Sequence, residues 1–282
     1  MPEGHTLHRL ARDLTVAFGG RTVSVSSPQG RFAEEAALLD GAVLAEAEAW
    51  GKHLFARFDD DRFVHVHLGL IGTFAVHAAV DAVPPPVGQV RLRLAADLGT
   101  HAAYADLRGA IICALVTPEQ RAKVVARSGP DPLRPDADPT RAWERIRRSR
   151  KPIGALLMDQ GVLAGVGNVY RAEVLFRHRL HPLRPGNTLR SGQWQAIWDD
   201  LVALMAEGVL TGRIDTVRPE HTPEAMGREP RKDDHGGEVY VYRRTGQPCL
   251  VCGRKVVTAV LEGRNLFWCS RCQPAFRSRA LG

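Results

Sequence analysis

No apolar stretch in this sequence approaches the roughly 18 residues that a membrane span requires. Its first residues also lack the basic-then-apolar order of a secretory leader. No internal repeat is present, which removes solenoid and propeller architectures. Cysteine outside one group is limited to Cys113, in the apolar run "AIICALV", where it reads as a small buried hydrophobe. These absences predict a cytosolic globular protein without membrane association. At 282 residues the chain is long enough for two domains, each with its own core.

Acid is nearly missing from the last forty residues. Glu262 stands there against eight cations (Arg243, Arg244, Arg254, Lys255, Arg264, Arg271, Arg277 and Arg279), leaving 30 basic and 30 acidic residues in the rest of the chain. The whole net charge of +7 is thus carried by one small module. Such concentration is the electrostatic footprint of a phosphate-backbone partner, the alternative being a solubilising tail.

What is present begins with "MPEGHTLHRL". Leu7, Leu10, Ala11, Leu14 and Phe18 recur at helical spacing, and Gly19-Gly20 ends the run. Proline at a first helical position is ordinary, because its missing N–H has no partner there. Residues 22 to about 116 read as β structure: "VRLRL" (90–94) alternates, placing Val90, Leu92 and Leu94 on one face and two arginines on the other. "KHLFARF" (52–58) and "FVHVHLG" (63–69) flank a turn at Asp59–Asp61, and "VPPPVG" (83–88) reads as a surface loop. Two packed antiparallel sheets are the expected architecture. "GPDPLRPDADPTR" (129–141) marks a linker, after which helical patterns run over about 140–149, 152–159, 168–179 and 188–208. The polar stretch 212–238, rich in Pro and Gly, predicts a long loop without regular structure.

Cys249-x2-Cys252, sixteen intervening residues and Cys269-x2-Cys272 predict a four-thiolate Zn²⁺ site, with two disulfides or a redox pair as rivals. Each Cys-x-x-Cys turn offers two sulfurs, and a tetrahedral ion needs two such pairs. Four protein ligands close the coordination sphere, so the single Zn²⁺ is expected to be structural. Between the pairs, "VVTAVLEGRNLFW" reads as strand, turn at Gly263-Arg264-Asn265, and strand.

Four separated features, "MPEG", "GKHLF" at 51, "GVGNVYRAEVLF" at 165 and the basic four-cysteine hairpin, stand in one order along the chain. Together the sequence resembles the formamidopyrimidine-DNA glycosylase and endonuclease VIII family of bifunctional base-excision enzymes. The likeness leans toward the endonuclease VIII-like branch of actinobacterial type. It implies an α+β multidomain protein: an N-terminal two-sheet β-sandwich with a leading helix (1–128), a linker (129–140), a helical helix–two-turn–helix domain with a long loop at 212–238 (141–238), and a zinc finger (239–282). DNA is expected in the cleft between domains.

By that resemblance Pro2 is the nucleophile, exposed when Met1 is removed, and Glu3 the catalytic acid. Lys52 matches the lysine that contacts phosphate and assists elimination. Asn168 and Arg264 match residues that grip phosphates around the damaged nucleotide, and Arg264 is also placed with the catalytic set. His67 matches a phosphate-contacting position, and Leu70, in "HLGLIG", matches the side chain inserted where the nucleotide leaves the stack. Arg108, in "DLRGAIIC", is retained from a loop that intrudes into the duplex, while the phenylalanine of that loop is replaced by Ala110. Glu173 matches a family acid near the site.

The chemistry suits an N-terminal amine, whose pKa of roughly 7.7–8.0 leaves a nucleophilic fraction near neutrality. A helix N-terminus lowers that value and a neighbouring Glu3 carboxylate raises it. Each residue has a plainer reading: Glu3 as a helix-dipole acid, Lys52 as an edge-strand lysine, Asn168 as an N-cap, Leu70 as a buried loop residue. His65 and His67 could pair on a metal, but no third ligand is evident. Thr6 stands where the family has a second glutamate.

The expected activity is removal of oxidised bases, pyrimidines before purines, with abasic-strand cleavage by β/δ elimination. A non-catalytic lesion-sensing protein is the alternative. The expected partner is damaged duplex DNA, with single-stranded or bubble DNA also open. The chain is expected to be a monomer in the bacterial cytoplasm, associated with the nucleoid through DNA.

Overall fold

A computed structural model describes residues 2–59, 61–232 and 237–276. Met1, Asp60 of the expected turn, residues 233–236 of the expected loop, and Arg277 and Arg279 of the basic module lie outside the described residues. The chain divides into two compact units, residues 1–127 and 128–282.

The first unit opens with α1 (Gly4–Phe18), whose Leu7, Leu10, Ala11, Leu14 and Phe18 are all buried. The helical spacing read from the sequence therefore marks the packed stripe, each large side chain contributing about 1.5–3 kcal/mol. β1 (Arg21–Thr22) and β2 (Ser24–Ser26) follow, then α2 (Ala33–Leu39). Next come β3 (Val43–Trp50), β4 (His53–Phe58), β5 (Phe63–His67), β6 (Thr73–Val80), β7 (Leu92–Asp97), β8 (Ala102–Arg108), β9 (Ile112–Val116) and α3 (Pro118–Arg127). The strands form two antiparallel sheets, ordered β1-β3-β4-β5-β9 and β2-β7-β8-β6. One core joins α1 to both, drawing Leu54, Ala56, Phe58, Val64 and Val66 from the larger sheet and Leu92, Leu94, Ala103, Ala105 and Leu107 from the smaller. Thr15 fastens the helix to β3: its hydroxyl accepts the Ala47 N–H at 2.8 Å and donates to the Ala47 carbonyl at 3.3 Å.

One expectation needs correction here. α2 interrupts the region from 22 to about 116 read as β; it is seven residues long and buries Ala36 and Leu39, too short to write a strong helical period. Arg93 does alternate away from Leu92 and Leu94, yet it is 7% exposed because Asp106 on the paired strand binds it bidentately at 2.7 and 2.8 Å.

The second unit contains α4 (Pro139–Ile146), α5 (Ile153–Leu156), α6 (Asn168–Arg177), α7 (Ser191–Thr211) and α8 (Pro223–Met226), then the hairpin β10 (Val257–Leu261) and β11 (Arg264–Trp268). α6 buries every residue from Asn168 to Phe176. The turns between α5 and α6 are organised by Gln160, which donates to the Met158 and Val166 carbonyls and accepts the Gly165 N–H. The stretch expected as a linker begins buried in this unit: Gly129 donates to Gln160, Ala164 donates to Pro130, and Asp131 is 0% exposed. A Cβ on Gly129 would lie 2.4 Å from the Val162 carbonyl carbon, so only glycine fits.

Within 212–238 the described residues are not featureless. They hold a 3₁₀ turn (Pro219–His221) and α8, and Ile214 and Thr216 are buried. Among the described residues no helix is long and apolar enough to cross a membrane.

Candidate active site and zinc centre

Pro2 lies two positions ahead of the first helical residue. The N-cap of α1 is Glu3, in extended conformation (φ −119°, ψ −179°) and with no capping hydrogen bond from its side chain. Glu3 is 0% exposed and Pro2 is half-buried. Helix initiation therefore does not account for either residue: the proline is outside the helix, and the carboxylate does not close the orphan N–H groups. Glu3 nonetheless stands at the positive end of the helix dipole, where a negative charge is favoured. Thr6 puts a hydroxyl near His5 Nε2 at 3.3 Å, so its position supplies no carboxylate.

Lys52 occupies the two-residue turn Gly51–Lys52, closed by the Trp50–His53 pair. Gly51 takes φ +58°, the left-handed region that such a hairpin turn requires. β4 is the central strand of five, so Lys52 is not an edge-strand residue. His67 stands close to it. The His67 Nδ1 accepts the Gly69 N–H at 3.0 Å, which places the ring proton on Nε2. Burial, then the charge of Lys52, holds the His67 pKa below its ordinary value. A neutral Nε2–H donor results.

His53 is the neighbour that the sequence reading missed. Its Nδ1 meets His65 Nε2 at 2.9 Å, and its ring lies 5.0 Å from that of His67. Burial and the adjacent imidazoles push the His53 pKa down to about 3, and burial followed by His67 brings His65 down to about 4. Pairings across β4 and β5 could have suggested this cluster. Even with a third imidazole, the cysteines are the one group among the described residues whose donor atoms converge as a metal site needs.

Leu68 is buried and anchors the loop after β5, with Gly72 donating back to the Leu68 carbonyl at 3.0 Å. Leu70 and Ile71 are left 50% and 84% exposed, so the buried-leucine reading is excluded. Ile111, in the neighbouring connection between β8 and β9, is 66% exposed, and Ala110 is buried. The Ile111 N–H donates to the His67 carbonyl at 3.0 Å, bringing the two connections together. Arg108 is held by Asp106 at 2.8 Å and by the Val87 carbonyl.

In the second unit Asn168 is the first residue of α6, and Gly167, not Asn168, is the N-cap. The Asn168 Oδ1 instead accepts from Arg171, a residue 1% exposed that also donates to the Asn265 carbonyl at 2.8 Å. Arg264 is exposed and opens β11 opposite Leu261. The hairpin turn is therefore Glu262–Gly263, with φ +48° and +72°, one residue earlier than the sequence suggested. Positive φ at both central positions matches strand twist in a two-residue hairpin. Glu173 is 0% exposed: it accepts the backbone N–H groups of Tyr240, Val241 and Tyr242 and the Thr216 hydroxyl.

The four cysteine sulfurs all lie within 4.8 Å of one another, and none is in a disulfide. Cys252 and Cys269 are 3.4 Å apart, Cys249 and Cys272 3.9 Å. Tetrahedral Zn²⁺ with bonds near 2.3 Å sets sulfurs about 3.8 Å apart, so the donor set fits one structural ion.

A β-sandwich unit led by a Pro-Glu terminus, followed by a unit with a turn-helix element and a four-cysteine hairpin, defines the class of base-excision DNA glycosylases. The chain belongs to the formamidopyrimidine-DNA glycosylase family: residues 1–112 match its N-terminal domain, 128–218 its H2TH domain, and 246–275 the zinc finger found in FPG and IleRS. It is 55% identical over 279 residues to Endonuclease 8 1 of Mycobacterium tuberculosis, covering 97% of this chain and 100% of that protein. Identity to the formamidopyrimidine-DNA glycosylase of Geobacillus kaustophilus is 30%, over 97% of this chain and 100% of the other. Among solved structures, Lactococcus lactis Fpg in complex with abasic-site DNA shares the fold, with a TM-score of 0.75 at 22% identity over 97% of this chain and 100% of that one. The Fpg protein of Thermus thermophilus gives 0.71 at 27% identity, over 98% and 100%.

Proposed function

We propose that this chain, a base-excision DNA glycosylase and abasic-site lyase, works through the amine of mature Pro2 with Glu3 as its acid. The observation that carries the assignment is the placement of the two residues. Pro2 lies outside α1, and Glu3 is fully buried at the N-cap position without capping the helix. Once Met1 is removed, the Pro2 nitrogen is a secondary amine. Its lone pair forms a bond to C1′ of the nucleotide while the glycosidic bond breaks, and the base leaves with that electron pair and is protonated. The nitrogen then loses its proton, and its lone pair breaks the C1′–O4′ bond as O4′ is protonated, giving a ring-opened iminium. This withdraws electrons from C2′, so loss of a C2′ proton expels the 3′ phosphate, and a second elimination, with loss of a C4′ proton, expels the 5′ phosphate. Glu3 is the group that protonates the sugar ring oxygen.

Lys52 and the neutral Nε2–H of His67 supply donors for phosphate in the first unit, with Arg108; Asn168 and Arg264 do so in the second. The exposed Leu70 fits a side chain that fills the gap left by an extruded nucleotide. Oxidised pyrimidines are the favoured substrates, supported by the absence of the intruding phenylalanine at Ala110 and by the likeness to Endonuclease 8 1. We assign the protein to the bacterial cytoplasm as a monomer on the nucleoid.

The test is borohydride reduction of the Met1-free protein mixed with abasic-site duplex. A covalent adduct mapped to Pro2 is the expected result. Failure to trap any adduct from protein verified to begin at Pro2 would sink the assignment and leave a DNA-binding role.

A further inference from the structure

Arg171 is among the largest fully buried side chains of the described residues. A guanidinium remains charged at any pH a protein survives, and its nitrogens only donate. Burying it is costly unless its donors are engaged. Its acceptors come from three elements: the Gly154 carbonyl in α5 at 3.3 Å, Asn168 Oδ1 at the head of α6, and the Asn265 carbonyl in β11 at 2.8 Å. One side chain therefore joins both helices of the two-turn element to the zinc hairpin.

The chemistry of the Asn168 contact has a consequence. A carboxamide can turn by 180° and offer either its oxygen or its NH₂ to a given neighbour. Only the oxygen can face a group that has donors alone, so the NH₂ is turned away from Arg171. Phosphate accepts and does not donate, so it needs that NH₂. Gly167 occupies the N-cap position, so Asn168 lies inside the first turn of α6, where its Oδ1 is engaged by Arg171. The Asn265 carbonyl adjoins Arg264, and Arg171 and Arg264 line one cavity of ≈ 270 Å³ with Ala155 and Met158.

We propose that Arg171 is the positioning residue for both phosphate-gripping side chains of this unit: it selects the donor-outward orientation of the Asn168 carboxamide and fixes the peptide next to Arg264. The proposal rests on the reading that Asn168 and Arg264 contact DNA phosphate.

Affinity for a duplex carrying a tetrahydrofuran abasic analogue, measured against salt, tests both layers. The variants are Asn168→Ala, Arg171→Met and the double variant, each checked for zinc content and cooperative melting. Asn168→Ala should weaken binding about tenfold and leave the salt slope nearly unchanged, because a neutral carboxamide releases no counterion from phosphate. Arg171→Met should do at least as much. In the double variant the combined loss should fall well short of the product of the single losses. If Arg171→Met does not fold, Arg171→Lys keeps a charged, donor-only group that can still face Asn168, and should lose affinity by less than Asn168→Ala. Unchanged binding by Asn168→Ala would overturn the phosphate reading and the proposal with it. A weakened Asn168→Ala beside an unchanged Arg171→Met, or losses that simply multiply, would overturn the proposal alone. So would an Arg171→Lys loss equal to or greater than that of Asn168→Ala.

Discussion

Glu173 Oε2 accepts the backbone N–H of Tyr240 at 2.6 Å, and its Oε1 accepts the next two N–H groups, of Val241 and Tyr242, at 2.9 and 2.8 Å. The Thr216 hydroxyl donates to it at 2.7 Å. One buried acid in α6 thus holds both the start of the 212–238 segment and the turn that leads into the zinc hairpin.

Replacing Glu173 by Gln exchanges one acceptor oxygen for an NH₂ that meets other donors. A loss of about 2–4 kcal/mol in unfolding free energy is expected, since donors in this buried network would be left unmatched. Urea denaturation of the zinc-loaded protein measures it. A change within about 0.5 kcal/mol, the effect of an ordinary surface substitution, would mean that the N–H groups find other partners.

Sequence periodicity was most informative where one face packs and the other meets solvent. α1 carried its stripe openly, as did the hairpin of β4 and β5 and the four cysteines with their spacing. α6 is buried all round, so its sequence has no polar face, and a charged residue such as Arg171 reads there as solvent-exposed. The burial of Arg93 is equally hidden from local pattern, because its partner Asp106 is thirteen residues distant and becomes adjacent only through strand pairing. His53 and Ile111 likewise acquire their neighbours from registers between strands and loops that no local spacing reveals. The position of Glu3 at the N-cap, and not within the first turn, is decided by backbone dihedrals.

An uncleaved Met1 or an N-terminal tag converts the Pro2 amine into an amide whose lone pair is delocalised. Borohydride trapping should then vanish while affinity for abasic-site duplex stays within about threefold, because the phosphate donors are untouched. Gel analysis of tagged and processed protein side by side measures this. Equal trapping by both would show that another amine, not Pro2, is the nucleophile.

Besides His67, three histidines of the first unit have pKa values pushed far down. Burial, as the largest cause, pushes the His5 pKa down to about 4; His53 stands at about 3 and His65 at about 4. Their unfolded value is near 6.5, so the unfolded chain binds more protons as pH falls below that point. Stability from these groups is complete above pH 6.5 and is lost progressively toward pH 4. The slope contribution approaches about 1.4 kcal/mol per pH unit for each group. Denaturation free energies between pH 7 and 4.5 should show it, and His53→Asn should reduce the slope by about one proton. A flat profile over that range would mean the rings titrate normally.

Leu70 and Ile111 offer exposed aliphatic side chains on adjoining connections of the first unit. Extruding a nucleotide from a duplex leaves an unstacked gap that costs a few kcal/mol, whereas a single strand has no such gap. Leu70→Ala should therefore slow excision from duplex about tenfold or more and leave excision from single-stranded substrate nearly unchanged. Ile111→Ala should act in the same sense and less strongly, its side chain packing against Gly69 in the loop that carries Leu70. Single-turnover rates on both substrates decide the matter. Equal losses on duplex and single strand would assign Leu70 to folding or phosphate positioning.

The cysteines divide into two chemical populations. Four converge on the zinc site, while Cys113 is 5% exposed in β9 and burial pushes its thiol up to about 12. Thiolate, not thiol, reacts with disulfide reagents, so Cys113 should stay silent in any folded state. The zinc-loaded protein is expected to show no fast-reacting thiol, chelation at neutral pH to expose four, and denaturant to release the fifth. Loss of zinc should also reduce affinity gained through Arg264, because the ion ties together the two Cys-x-x-Cys turns that flank the hairpin carrying it. Titration with a chromogenic disulfide, run with and without chelator, checks the count. Four fast thiols before chelation would show that the ion does not engage the cysteines.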